Sequence, residues 1–222
     1  MGNDSGLILY DYWRSSAAYR VRIALHLKGH SFEQRAINLV KNGGEQHGAG
    51  YREINPQGLV PALVHDDLVL TQSLAICEYL DEVFPQSPLL PPSAARRAVV
   101  RALALTVACD IHPINNLRVQ QQLRSRFGAE QDALADWMNH WMSVGFTALE
   151  RRLQNDFPGA VFCTGDVPGL AECFLVPQLY NAERYSCDLE PYPRIRGVAA
   201  RCRELAAFAA AAPESQPDAP RS

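Results

Sequence analysis

The chain has 222 residues, 47% of them apolar, and a formal net charge of -3 at pH 7. This length is enough for one large domain or two small ones with a buried core. The weak negative charge argues against a nucleic acid or a membrane surface as partner. No apolar run is long enough to span a bilayer, and Met1 to Gly6 is polar and carries no apolar core of a signal peptide.

Cysteine usage points to the cytoplasm and away from metal binding. The six cysteines form no C-x-x-C pair, and no histidine clusters with them at zinc spacing. Scattered single cysteines are typical of a reducing compartment, where they act mainly as small buried apolar residues. We therefore expect a cytoplasmic protein without a metal site.

The first part of the chain alternates strand and helix patterns. The predicted elements are a strand at 7–10, a helix from Ser15-Ser16 to Gly29, a strand near 32–39, a short helix at 45–52, a turn at 55–58, a hairpin of 62–65 and 68–70 split by Asp66-Asp67, and a helix capped by Ser73 and stopped by Pro85. The order β-α-β-α-β-β-α predicts a mixed sheet with helices on its faces, as in a thioredoxin-like α/β domain over residues 1–87.

A proline-rich stretch at 85–92 reads as a linker, and the pattern after it is helical only. Helices are predicted from 94 toward 116, where Pro113 kinks or ends the helix, over 130–155, from Gly169 and from Arg194. The tail at 213–222 is proline-rich and is predicted to be irregular. Residues 93–222 are thus expected to form an all-α domain.

Two hydroxyls, Ser15 and Ser16, lie where the first strand gives way to a helix. A helix N-terminus offers unpaired N–H groups and a partial positive charge, which would lower the pKa of a thiol placed there. Taken alone, an ordinary N-cap is the simpler interpretation of these serines.

Two further segments favour a peptide-like ligand. Pro61 stands at the start of the third strand, and a cis bond there would turn the backbone of Val60 outward, although a trans proline in a plain turn is the commoner case. Thr71-Gln72-Ser73 opens another helix whose N-terminus is able to hold a carboxylate. The three segments gain weight because they fall at strand or helix ends of one small domain.

The same segments carry a family resemblance that covers almost the whole chain. The string Ser15-Ser16-x-x-x-Arg20-Val21-Arg22-Ile23-Ala24-Leu25 resembles the signature of zeta-class glutathione transferases, the family of the maleylacetoacetate isomerases. Four more strings match the class: Asn55-Pro56-x-x-x-Val60-Pro61, Gln72-Ser73-x-Ala75-Ile76-x-Glu78-Tyr79-Leu80, Asp110-Ile111-His112-Pro113-x-Asn115-Asn116 and Val176-Pro177-Gln178-x-x-x-Ala182-Glu183-Arg184.

The resemblance implies a glutathione site and a role for each matched residue. Ser15, with Ser16 beside it, would stabilise the glutathione thiolate, and Val60 next to a cis Pro61 would pair its backbone with the cysteinyl unit. The other implied glutathione-binding residues are Gln72 and Ser73 for the γ-glutamyl carboxylate, Gln46 for the glycyl end, Arg20 in the first string, and His112 and Asn116 of the helical domain. Arg20 and Arg22 also fit a structural or surface role, and His112 fits either a base or a hydrogen-bonded core histidine.

The implied reaction is the glutathione-dependent cis–trans isomerisation of maleylacetoacetate, a small dianionic keto acid of tyrosine and phenylalanine catabolism. A thiolate adds to the double bond, rotation follows and elimination restores a trans bond. Ser15, Ser16 and Arg14 are the expected catalytic residues. Arg14, Arg118 and Arg184 are candidate carboxylate clamps, each with a solvated surface arginine as the alternative.

Alternatives remain open at this point. Maleylpyruvate isomerisation needs the same thiolate and arginines, a general glutathione transferase would want a more apolar pocket, and a binding protein of the same fold would have lost its chemistry. Two positions depart from the family pattern: Ala17 stands where members often carry Cys, and Gly169 with Glu172 replaces a Thr-x-x-Asp capping pair, which predicts a somewhat weaker helix start. The family also implies a homodimer.

Overall fold

A computed structural model of the chain describes residues 6–220. Within this part, no helix combines the length and the apolar character that crossing a bilayer requires. The structure divides into two compact units, with boundaries after Leu90 and after Cys202. We call residues 6–90 with 203–220 the N-terminal unit, and Pro91–Cys202 the helical unit. The helical domain is expected over 93–222, but the helical unit ends at Cys202, and the residues from Arg203 onward group with the N-terminal unit.

The N-terminal unit is built on a mixed sheet. Its elements are β1 (Leu7–Asp11), α1 (Ser16–Leu27), β2 (Glu33–Ala36), α2 (Ala49–Ile54), β3 (Ala62–His65), β4 (Leu68–Thr71), α3 (Ser73–Val83) and α9 (Ala206–Ala211). In the described residues the strand order is β2-β1-β3-β4. The pair β1–β2 is parallel, and the pairs β1–β3 and β3–β4 are antiparallel. This is the predicted β-α-β then β-β-α order.

Local sequence explains why these elements form. The side chains of β1 alternate between buried and half-buried, as expected for a strand in a sheet. The hairpin turns at Asp66, whose φ of 53° is left-handed, a conformation that Asp tolerates better than most residues. Leu9 and Leu63 of the sheet are fully buried together with Ile23 of α1 and Ile76 of α3, so the core lies between the sheet and its helices.

The helical unit contains α4 (Ala94–Leu105), α5 (Leu117–Phe127), α6 (Gln131–Asp156), α7 (Leu170–Arg184) and α8 (Pro193–Arg203). The helix predicted from 94 toward 116 is α4 continued by a π-helical stretch, Thr106–Ile111, and the helical structure ends just before Pro113, as predicted. Helix α5 was not predicted, although Val119, Leu123 and Phe127 recur at helical spacing; in the structure only Gln120 is buried along it. In α7 every residue from Leu170 to Leu179 is buried, which makes it the central helix of this unit.

The end of the chain is more ordered than predicted. Instead of an irregular tail, residues Pro213–Ser215 form a 3-10 turn after α9, and Pro213 and Gln216 are buried. Helix α9 packs against α1. The tail therefore belongs to the N-terminal unit because it covers part of that unit's surface.

Candidate active site

Three of the predicted segments meet at one end of the sheet. In the register, Tyr10 of β1 is opposite Ala62 of β3, and Ala62 is opposite Thr71 of β4. Ser15 follows β1, Val60-Pro61 precedes β3, and Gln72-Ser73 follows β4. All three segments therefore lie at the same end of the sheet. The connection after β2, which carries Gln46, starts there as well, because Ala36 at the end of β2 pairs with Asp11 at the end of β1.

Ser15 is the N-cap of α1 and is half-buried. Its Oγ accepts a hydrogen bond of 3.2 Å from the Ala18 N–H, which uses a lone pair and leaves the hydroxyl proton available to donate. The first turn of α1 contains no acidic residue. A negatively charged ligand atom beside Ser15 would thus meet a hydroxyl donor and the positive end of the helix, with Ser16 as the first helical residue.

Arg14 lies immediately before this cap and is half-buried. Its guanidinium carbon is 5.4 Å from the centre of the Trp13 ring, a cation–π distance. The guanidinium therefore lies against the ring, and the role of Arg14 as a carboxylate clamp stays a prediction.

The peptide bond between Val60 and Pro61 is cis, as the resemblance implied. The backbone just before it is held by two side chains that sequence reasoning did not assign to the site. Tyr51 donates its hydroxyl to the Leu59 carbonyl at 2.6 Å, and the buried Asn55 donates its amide to the same oxygen at 2.7 Å. Burial raises the pKa of Tyr51, so the hydroxyl keeps the proton that this hydrogen bond needs.

The start of α3 corrects one prediction. Ser73 is not the N-cap: Gln72 occupies that position with a φ of 71°, and Ser73 is the first helical residue. The Ser73 Oγ accepts a hydrogen bond of 3.1 Å from Nη1 of Arg20. Arg20 is 2% exposed, so it is not a surface residue and contacts this site through Ser73. Gln72 itself is exposed and donates to the Gln57 side chain at 3.1 Å.

Gln46 is 6% exposed and lies in a 3-10 turn, Glu45–His47. Its amide nitrogen contacts the Leu39 carbonyl at 3.5 Å and a ring nitrogen of His47 at 3.2 Å. Its Oε1 is buried and has no hydrogen-bond partner among residues 6–220. A buried acceptor without a partner is costly, and a ligand N–H would satisfy it.

The other predicted residues belong to the helical unit. Asn116 is the N-cap of α5: its Oδ1 accepts from the Arg118 N–H at 3.2 Å, and its Nδ2 is 3.4 Å from Nε2 of His112. Arg118 and Arg184 are exposed. Arg184 donates to the Asn181 side chain at 3.4 Å. The capping bond gives Asn116 a structural role of its own, and the ligand roles of these four residues stay predictions.

A buried ion pair below the site was missed by sequence reasoning. Arg22 and Asp11 are both fully buried and their side chains are 2.7 Å apart. Burial raises the pKa of Asp11, although the Arg22 charge and its hydrogen bond act in the opposite direction. Arg22 also donates to the Trp13 carbonyl at 2.9 Å. The pair thereby fixes the backbone of the β1–α1 connection, and no local sequence signal marks it, because its partners meet only in the fold.

The helix start at Gly169, which departs from the family pattern, is capped by a buried carboxylate. Glu172 is 2% exposed and accepts from the Gly169 N–H at 2.7 Å and from the Cys163 N–H at 2.6 Å. Burial raises the pKa of Glu172, and the backbone hydrogen bonds partly offset that rise. The predicted weakness of the Gly169 cap is therefore compensated by Glu172.

Comparison with known proteins identifies the family. Residues 5–82 match the family model described as the glutathione S-transferase N-terminal domain. The chain is 51% identical over 213 residues to a probable maleylacetoacetate isomerase of Vibrio cholerae, covering 96% of this chain and 98% of that protein. It is 49% identical over 211 residues to a maleylpyruvate isomerase of a Ralstonia species, covering 95% and 98%.

Solved structures agree in fold. The holo structure of a maleylpyruvate isomerase, described as a bacterial zeta-class glutathione S-transferase, superposes with a TM-score of 0.93 at 48% identity, covering 96% of this chain and all of the other. A maleylacetoacetate isomerase from Anaeromyxobacter dehalogenans with glutathione in its active site gives a TM-score of 0.85 at 44% identity, covering 96% of this chain and 98% of that one. The predicted fold and family are confirmed: this chain belongs to the zeta class of the glutathione transferase family, with the maleylacetoacetate isomerases.

Proposed function

We propose that the protein is a glutathione-dependent cis–trans isomerase that converts maleylacetoacetate to fumarylacetoacetate. The observation that carries the proposal is the half-buried Ser15 hydroxyl at the N-terminus of α1. It lies at the same end of the sheet as Val60-Pro61 and Gln72-Ser73. The near-full-length identity to isomerases supports it. When bound, glutathione supplies the thiolate whose reversible addition to the substrate's cis double bond permits rotation to the trans form.

The residues at the sheet edge fit glutathione. The Ser15 hydroxyl would donate a hydrogen bond to the glutathione sulfur and favour its ionised form, and the N-terminus of α1 would add a partial positive charge. Ser73 accepts from Arg20 and so keeps its own hydroxyl proton to donate to the γ-glutamyl carboxylate. The unsatisfied Oε1 of Gln46 is an acceptor for a ligand N–H at the glycyl end.

The two carboxylates of the substrate require cations. Arg14 is our first candidate, because it adjoins Ser15 in the chain and its guanidinium lies against the Trp13 ring. A planar guanidinium binds a carboxylate through two parallel hydrogen bonds. Arg118 and Arg184 remain candidates from the family resemblance, as do His112 and Asn116 for glutathione. We also propose that the enzyme is a cytoplasmic homodimer, as the family resemblance implies.

Maleylpyruvate is the alternative substrate, because a relative of nearly the same identity is a maleylpyruvate isomerase. The decisive measurement is the glutathione-dependent isomerisation rate of maleylacetone, a stable analogue of maleylacetoacetate, beside that of maleylpyruvate. We expect turnover of maleylacetone that requires glutathione. A clear preference for maleylpyruvate would make that acid the assigned substrate. If the protein binds glutathione but turns over neither acid, it would instead be assigned as a transferase or a binding protein.

A further inference from the structure

We propose that the end of the chain positions the Ser15 loop for thiolate activation, with Asp218 as the positioning residue. The Ser15 loop is the connection Tyr12–Ser15 between β1 and α1, and the C-terminal segment is residues 206–220. The inference rests on the proposed function of Ser15. The two regions are about 200 residues apart in sequence, and both belong to the N-terminal unit.

The backbone of Trp13 is the point of contact. Its N–H donates to Oδ2 of Asp218 at 3.0 Å. Its carbonyl accepts from Nη2 of Arg22 at 2.9 Å, and Nε of the same arginine donates to the Ala211 carbonyl at 2.9 Å. Both polar groups of one peptide position are thus tied to the C-terminal segment, one directly and one through a single buried guanidinium.

The C-terminal segment is itself anchored at this place by Gln216, which is 7% exposed. Its amide nitrogen donates to the carbonyls of Ala210 and Ala212 at 2.9 and 2.7 Å. Its Oε1 accepts from Gln34 of β2 at 3.2 Å, and Gln34 also donates to Asp11 at 2.6 Å. The segment therefore joins the buried Asp11–Arg22 pair rather than lying loosely on the surface.

The contact is close enough to Ser15 to affect its geometry. Trp13 is two residues before Ser15, and the Ser15 N–H donates to the Tyr12 carbonyl at 2.9 Å, so the loop is one hydrogen-bonded turn. The Trp13 ring also lies under the Arg14 guanidinium. A shift of Trp13 would move both the proposed thiolate donor and the proposed carboxylate clamp, and small displacements of such groups lower rates strongly.

One oxygen of the Asp218 carboxylate is in an environment that lowers the stability of the fold. This oxygen, Oδ1, is buried and finds no hydrogen-bond partner in the described part of the chain. An unsatisfied buried acceptor is destabilising. The carboxylate that binds the Trp13 N–H is thus held in a position that stability alone does not favour, which fits a role in fixing the loop.

The test compares full-length Asp218→Ala, Asp218→Asn and Glu204→Ala with the wild type. Asparagine keeps an oxygen that accepts from the Trp13 N–H, and exposed Glu204 is a carboxylate of the same end of the chain, outside the contact. For Asp218→Ala we expect kcat to fall roughly tenfold, less than the roughly hundredfold that a 1 Å misplacement can cost, with little change in KM. We also expect a higher pKa of the bound glutathione thiol, measured by thiolate absorbance, and faster amide hydrogen exchange in a peptide spanning 12–17.

Asp218→Asn and Glu204→Ala should stay near the wild type in all three measurements. An Asp218→Ala protein that is merely less stable, with unchanged kcat, thiol pKa and exchange at 12–17, would overturn the inference. If the wild type isomerises neither acid, the proposed function fails instead. The positioning role is then decided by the thiol pKa and the amide exchange, since neither depends on turnover.

Discussion

Helices α1 and α7 are capped in different ways. At α1 the cap is Ser15, a neutral and half-buried hydroxyl, and the first turn has no acidic residue. At α7 the cap is Gly169, and the buried carboxylate of Glu172 accepts from its N–H and from that of Cys163. Both helices present the same backbone donors and the same partial positive charge.

The difference shows what makes one helix start suitable for chemistry. At α7 the protein fills the position with its own anion, so the helix start is closed and serves stability. At α1 the cap uses only a lone pair of the Ser15 oxygen, and the first turn carries no acidic residue. An external thiolate can therefore use the hydroxyl proton and the helix charge, which predicts opposite consequences for substitutions at the two sites.

The largest effect is expected at Ser15. We expect Ser15→Ala to lower kcat for glutathione-dependent isomerisation by about 100-fold, the loss typical for removing one donor to a developing or bound anion. Ser15→Gly separates capping from chemistry, because glycine costs the helix only a few tenths of a kcal/mol whereas alanine costs about 1 kcal/mol. Steady-state kinetics should show the same loss in both variants. A Ser15→Gly enzyme with wild-type kcat would mean that Ser15 is only a cap.

A stability effect without a catalytic one is expected at α7. Glu172→Ala leaves two backbone N–H groups without their acceptor and should lower the free energy of unfolding by about 2 kcal/mol. Urea denaturation measures this, with the exposed Asp166→Ala as the control that removes a nearby carboxylate. The kcat of folded Glu172→Ala should equal that of the wild type. A loss of kcat as large as that of Ser15→Ala would remove the contrast between the two helix starts.

The same carboxylate predicts a pH dependence. Burial raises the pKa of Glu172 above its ordinary value of 4.5, so above that pH the folded state holds a proton that the unfolded state has lost. The free energy of unfolding contributed by this group therefore falls as pH rises from 4.5 toward the folded-state pKa. Glu172→Gln cannot titrate and should flatten this slope in denaturation curves measured across the acidic range. An unchanged slope would assign the pH dependence to other groups, such as the buried Asp11.

The smallest effect is expected at Gly169. Gly169→Ser adds a capping hydroxyl and should raise the free energy of unfolding by only a few tenths of a kcal/mol. The backbone at this position has a φ of -151°, outside the left-handed region that favours glycine. Thermal unfolding is sensitive enough to detect the gain. A decrease in stability would show that the added side chain disturbs the Glu172 hydrogen bonds, and that the α7 start has no room left.

Sequence reasoning succeeded where a signal is local. Ser15 is placed at a helix start, the Asp66-Asp67 turn divides the hairpin, and the alternation of patterns predicts the order of strands and helices along the chain. It failed where a residue's partner is distant. Ser73 was assigned a cap on the basis of residue type, but Arg20 of another helix takes its hydroxyl oxygen. Helix α5 was missed because polar residues dominate it, although Val119, Leu123 and Phe127 recur at helical spacing.

The sequence by itself determined the family, the thioredoxin-like order of the first unit and the residues expected to bind glutathione. Those inferences depend on short motifs and on periodicity, which are properties of neighbouring residues. Only the tertiary structure decided that Arg22 is a buried partner of Asp11 and that Asp218 holds the backbone before Ser15. Such contacts join residues that are far apart in the chain, and the surface that a polar side chain meets is fixed only when the core has packed.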